Sequence, residues 1–319
     1  MKNYMKTNAQ VANFNVVFGE DEKPMLDYFD NILYPALTSG VIRSGTDEDD
    51  YFLYDVEVIS NKREDAAIIG RIVKRTMLDV LSDLNESGVL IEKDEHYTSA
   101  PYSTFVIYLR NHRMLYVPNQ KGSPTLVNFR TTVAYILKKY VSDYNSKNEE
   151  NLPYALVNVV GVPSSNTIEE LLKTVKKINL LTLKFYPLNG DVDFSDMFGM
   201  MTTDLRKAVG SKTGKTVLNS PKLVDGVVEV LQQAGGTIDP VLKVTTSENS
   251  VVRLQDYQMT EKYEMEFDDQ STLEQKREQI MNKADEISVL QFTNENHDAI
   301  YDRNKGKIIP FIKKNKGGI

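Results

Sequence analysis

The chain has 319 residues, 41% of them hydrophobic and 26% charged, and a formal net charge of −7, a globular composition whose acid excess excludes a protein that coats DNA or an anionic membrane by bulk charge, though not a local basic groove. The absence of cysteine excludes disulfides, thiolate nucleophiles and cysteine-based zinc sites and fits a reducing cytoplasm. Residues 1–10 are polar, without the apolar core of a signal peptide, and no apolar run approaches the roughly 20 residues of a membrane span.

In chain order, residues 11–18 alternate loosely and are rich in β-branched side chains, which predicts a strand. Residues 24–37 predict a short helix with Pro24 at its tolerated start, and residues 51–59 a second strand. Over residues 65–85, Ile69, Ile72, Val73, Val80 and Leu84 share one face of a helix, with Arg71, Lys74 and Arg75 on the opposite face. Gly88 suits the end of that helix. Residues 89–91 and 103–109 read as strands, and 110–113 as the turn into 114–117, giving a hairpin. Residues 129–144 predict a helix.

The polar stretch 145–151, followed by Pro153, reads as a linker. Beyond it, residues 154–160 predict a strand closed by Gly161 and Pro163. Asn166 and Glu169 have helix-start chemistry, with Ile168, Leu171, Leu172, Val175 and Ile178 as the buried face of the helix that follows. A strand at 180–186, ended by Pro187, completes a compact strand–helix–strand unit. Helices are predicted at 194–209 and 220–234, a meander of short strands at 241–244, 251–254 and 263–267, and a charged helix at 271–287. From Arg303 the chain reads as a lysine-rich, partly disordered tail. Strands and helices intersperse without regular alternation, which predicts the α+β class. The expected organisation is two domains, 1–148 and 149–302, each a mixed or antiparallel sheet with packed helices, followed by the tail 303–319.

Chemical motifs are sparse. In Gly210-Ser211-Lys212-Thr213-Gly214-Lys215-Thr216, three residues rather than four separate the first glycine from the Gly-Lys-Thr, and a helix rather than a strand precedes it, so a nucleotide-hydrolysing P-loop is not expected. A basic loop touching phosphates remains open. Asp191, Asp193 and Asp196 fit either Mg²⁺ ligands of a nuclease or carboxylates complementing a helix start. Asp47 to Asp50 reads as a solvated acidic loop. His96, His112 and His297 have no metal-ligand partner at short spacing, and His112, between Arg110 and Arg113, is expected at a surface turn. No catalytic triad is discernible, so the expectation leans towards a protein without enzymatic activity, and no cofactor is expected.

The cations group as Arg71, Lys74 and Arg75; as Lys173, Lys176, Lys177 and Lys184; as Arg206, Lys207, Lys212, Lys215 and Lys222; and as the lysines of the C-terminal tail. Two readings fit: polar faces of amphipathic helices, or one groove for a phosphate backbone. Weak aromatic interleaving argues against stacking platforms for single strands.

Phe105-Val106-Ile107-Tyr108-Leu109 followed by Met114-Leu115-Tyr116-Val117 is similar to the core hairpin of RexA-like phage-exclusion proteins. Val159-Val160-Gly161, the helix from Ile168 and Leu180-Leu181-Thr182-Leu183-Lys184 resemble the start of their second domain. Richness in Lys, Asn, Ile and Tyr suits an AT-rich bacterial or phage genome. The resemblance is one of pattern over about half the chain, with no signature motif, and it carries over no site residue. It implies an intracellular dimer of two α+β domains that binds DNA without strong sequence preference. The expectation is therefore a cytoplasmic, homo-oligomeric phage-defence or phage-exclusion protein that binds nucleic acid through phosphate contacts, with no membrane partner. The alternatives are a Mg-dependent nuclease and an oligomeric interaction component that senses a phage or defence-system protein.

Overall fold

The strand Tyr4–Phe18 (β1) organises the molecule. The structure, a computed structural model, describes residues 4–46, 48–61, 65–84, 87–189 and 200–313. In it Gln10 pairs with both Tyr116 and Lys262, and Ala12 with both Met114 and Gly161, so β1 has neighbours on both edges. The ten-stranded antiparallel sheet around it runs, across the sheet, Lys262–Asp268 (β14), β1, Arg113–Pro118 (β8), Tyr102–Tyr108 (β7), Ala66–Leu84 (β5), Asp50–Ser60 (β4) and Arg43–Ser44 (β3). Lys23–Pro24 (β2) and Ala155–Gly161 (β9) also pair with β1, and Leu90–Ser99 (β6) pairs with β5. A second, four-stranded antiparallel sheet has the order Gly214–Asn219 (β11), Val175–Phe185 (β10), Ile238–Thr246 (β12) and Val251–Gln255 (β13).

Period-two alternation divides the large sheet between two cores. Ala12, Phe14, Val16, Ile68, Ile72, Phe105, Ile107, Met114 and Tyr116 face one side. There they meet Phe129, Val133, Ile136 and Leu137 of the helix Leu126–Asn145, the helical turns of residues 25–37, and Ile300, Tyr301 and Ile308. Ala9, Val11, Ala67, Ile69, Val106, Leu115 and Phe267 face the other side, against Ile280 and Ala284. With the short helix Tyr34–Leu37 as α1, Leu126–Asn145 is α2, Ser165–Lys173 α3, Val224–Gln233 α4, Leu273–Glu286 α5 and Glu295–Ile308 α6. α2 starts where a capping box forms: Thr125 Oγ1 accepts from the Asn128 N–H at 3.2 Å and Asn128 Oδ1 from the Thr125 N–H at 2.9 Å. The small sheet buries Ile178, Leu181, Leu183, Leu242 and Val244 under Ile168 and Leu172 of α3 and Leu231 of α4. The protein is of the α+β class, and no helix among the described residues is long and apolar enough to cross a membrane.

Several expectations change. Of the helix expected over 65–85, Ala66–Leu84 form the strand β5 instead. Both faces of its first half are buried, so the run Ala66-Ala67-Ile68-Ile69 is continuous rather than alternating, and such a run cannot be told from a helix by periodicity. Gly70 identifies the strand in retrospect, because a Cβ there would lie 2.7 Å from the Phe105 ring. Gly88 sits at φ +76° in the turn between β5 and β6 instead of ending a helix.

The expected division at 148/149 does not coincide with the sheets, since β9 and β14 both pair along β1. The strand–helix–strand unit is likewise split: β9 belongs to the large sheet and β10 to the small one, so Val175 and Ile178 lie on β10 rather than on α3. The third strand of the expected meander, β14, leaves β13 for the large sheet. Residues 303–308 are the last turns of α6, and Arg303 clasps the Asp27 carboxylate at 2.9 and 3.0 Å, which removes that segment from the expected tail.

A candidate nucleic-acid interface

The face of the small sheet opposite α3 and α4 is set by strand register. Leu242 and Val244 point into the core, so Lys243 and Thr245 point the other way. Cross-strand partners share a face. Lys243 pairs with Arg253, and Thr245 with both Lys177 and Val251. Lys184 pairs with Lys215 on one side and Asp239 on the other. Between these rows lie Leu180 and Thr182, with Asn219 and Val217 beside them on β11. One face thus carries Lys177, Lys184, Lys215, Lys243 and Arg253.

Asp239 is the one carboxylate at a strand position of this face among the described residues, and its side chain is only 8% exposed. It is already matched by Lys184 at 3.3 Å and by Arg130 of α2 at 3.9 Å. Nearby, Asp256 accepts from the Gly161 N–H at 2.8 Å. Burial pushes its carboxyl above the usual carboxylate range; the Gly161 N–H opposes that shift, and the charge of Asp239 adds to it. Lys177, Lys215, Lys243 and Arg253 are exposed and make no ion pair among the described residues. The strand positions of the face carry no aromatic residue. The arrangement therefore offers ammonium and guanidinium groups to a phosphate backbone and no platform on which a base could stack.

The predicted basic residues part company here. Lys177, Lys184 and Lys215 converge on the face, and Lys212 is exposed in the loop that leads into β11. Lys173 ends α3, on the covered side, and Lys176 donates to Asn249 Oδ1 at 2.8 Å. Arg71, Lys74 and Arg75 form no basic cluster: on β5 they meet Asp55, Asp49 and Asp50 across the register with β4, and the Lys74–Asp49 distance is 2.8 Å. For the same reason Asp49 and Asp50 are not a solvated loop; Asp49 is buried, and these pairs hold both carboxyls below the usual range against the burial of Asp49. Asp47 lies outside the described residues.

Arg206 is buried against Glu22 (Nη2–Oε2 2.7 Å), with Lys207 at 3.9 Å from the same carboxylate, so Arg206 is not offered to a ligand. Gly210, at φ +67°, follows a helical turn, and Lys215 and Thr216 lie inside β11, the reverse of the strand–loop–helix order of a P-loop. Asp191, Asp193 and Asp196 lie outside the described residues, and the described residues contain no cluster of three or more histidine and carboxylate side chains placed to hold a metal ion. His112 is fully buried at φ +59°, not at the surface, with its ring edge-on to His297 at 5.3 Å.

Lys243 and Arg253 escaped the sequence reading. Their signal was the alternation Leu242-Lys243-Val244 and Val252-Arg253-Leu254, which gains meaning only once one face of the sheet is known to be covered. No protein-family model matches the chain, and no curated protein matches it in sequence.

Proposed function

We propose that this chain binds nucleic acid through the phosphate backbone, without reading sequence, on the open face of the small sheet. The observation that carries the reading is the gathering of Lys177, Lys184, Lys215, Lys243 and Arg253 on one sheet face, whose single described carboxylate is buried and already matched, in a chain of net charge −7. Phosphate contacts alone are sequence-independent, and a face without aromatic residues favours duplex over splayed single strands. The setting is phage exclusion or phage defence, as the resemblance of the Phe105–Val117 hairpin to RexA-like proteins implies.

The experiment is fluorescence anisotropy with a labelled duplex of mixed sequence over a salt series. Five phosphate contacts give a log–log slope near −4.5, about a 500-fold loss of affinity between roughly 50 and 200 mM salt. Lys243→Glu/Arg253→Glu abolishes binding, whereas Lys121→Glu, an exposed cation far from this sheet in sequence and on the large-sheet side, does not. Absence of duplex binding at low salt, or equal losses from both variants, overturns the reading.

A further inference from the structure

Among the described residues β4 pairs with β5 as far as Arg75 and β7 as far as Val73, and beyond them β5 pairs with β6 alone. Residues 76–84 and 90–99 therefore form a two-stranded arm whose outer strand, β6, has a free edge. An isolated two-stranded ribbon is marginal in water, and this one holds exposed apolar side chains on both faces. Leu78 and Tyr97, cross-strand partners, are each 53% exposed, and Met77 and Leu81, on the other face, are 50% and 66% exposed.

The charge on the arm selects its occupant. Asp79, Asp83, Glu92, Asp94 and Glu95 outnumber the basic groups of the arm: Lys93 bonds Asp83 at 3.0 Å and Glu95 at 3.4 Å, and His96 lies 2.7 Å from Asp79 and 3.3 Å from Asp94, which leaves the arm acidic. Two arms laid edge to edge would oppose like charges, so arm-to-arm pairing is disfavoured. The cationic sheet face has the opposite sign and carries exposed apolar side chains at its two edges, Val217 on β11 and Val251 on β13, 42% and 58% exposed. Dimensions agree: the arm is about 30 Å long and the face from Lys177 to Lys184 about 24 Å, at roughly 3.4 Å per strand residue. A contact of about 30 by 15 Å, made twice about a two-fold axis, buries about 900 Å² per partner, the size of a stable interface.

We infer that the β5–β6 arm of one copy lies across the cationic face of the small sheet of a second copy, and reciprocally. The contact makes a two-fold dimer and partly screens the face, which lowers duplex affinity several-fold without abolishing it. The screening rests on the nucleic-acid reading above; the dimer does not.

Sedimentation velocity at low and high salt tests the contact. The wild-type chain sediments at twice 36.2 kDa at low salt and as a monomer at high salt. Glu92→Lys/Asp94→Lys on the arm, or Lys243→Glu/Arg253→Glu on the face, gives monomers. Mixing those two variants restores a dimer, because each reversed arm meets a reversed face and each native arm a native face. A monomeric wild type at low salt, a dimeric arm variant, or a mixture that stays monomeric overturns the inference. The arm variant also binds labelled duplex several-fold more tightly than the wild type. Duplex binding by a chain that never dimerises defeats the arm contact alone; a salt-sensitive dimer with no duplex binding by wild type or arm variant defeats the nucleic-acid reading and leaves the dimer standing.

Discussion

Lys243 on β12 and Arg253 on β13 face each other directly across the small sheet, and neither has an ion-pair partner among the described residues. Lys184 and Lys215 repeat the arrangement between β10 and β11. Like charges directly opposed weaken a sheet. Arg253→Glu turns the first pair into an attraction and is expected to stabilise the fold by about 0.5 kcal/mol. The same change lowers the salt slope of duplex binding by about 1. Urea unfolding and anisotropy on one preparation read both effects; a slope that does not change counts against this face.

Arg206 supports the fold rather than a ligand. Its guanidinium joins the chain after β10 to Glu22, beside β1, with both side chains largely buried (3% and 16% exposed). Removing one partner of such a pair strands the other charge. Arg206→Met is expected to cost about 3 kcal/mol of stability and to leave duplex affinity within about twofold. Thermal unfolding and anisotropy separate the two roles; a loss of binding in a variant of unchanged stability would place Arg206 at the interface instead.

Asp256 makes stability depend on pH. Burial raises its folded-state pKa above the ordinary 3.8, helped by the charge of Asp239 and opposed by the N–H groups of Gly161 and Tyr257 and by Arg130. With a raised folded-state value, its contribution is fully present below the unfolded pKa and is lost as pH rises through the folded one. Asp256→Asn keeps an oxygen for the Gly161 N–H and carries no charge. The variant is therefore expected to melt above the wild type at pH 7, with the difference closing towards pH 3. Melting curves across that range check the sign, and an equal or lower melting temperature at pH 7 refutes it.

Phe129 is the aromatic hub of the core under α2. Its ring is fully buried, with Phe105 at 4.9 Å, Tyr116 at 5.9 Å and Phe14 at 6.1 Å between centroids. Phe129→Ala leaves a cavity that these rigid rings cannot close, at an expected cost of about 4 kcal/mol. The urea midpoint should fall with little change in slope, as the surface exposed on unfolding is nearly the same.

Local patterns were readable wherever a single face decides the matter. β1, β4 and the β7–β8 hairpin were expected as strands, and α2 and α5 as helices over 129–144 and 271–287; both helices begin at capping boxes, Thr125–Asn128 and Thr272–Gln275. β5 was misread because burial of both its faces erases the period that separates strand from helix. Part of the candidate site was legible as well: Lys177 and Lys184 were singled out in one group of cations and Lys215 in another.

Sequence alone determined the α+β class, most of the elements and the supply of cations, because helix and strand periodicity and turn chemistry act over a few residues. Tertiary structure decided which cations are free. Arg71, Lys74, Arg75 and Arg206 are matched by acids from other elements and Lys184 by Asp239, while Lys243 and Arg253 join Lys177 and Lys215 on one face through cross-strand register. The physical reason is that Coulomb partners are chosen by distance in space, and neither strand register nor the covering of one sheet face by helices is written in the spacing of residues along the chain.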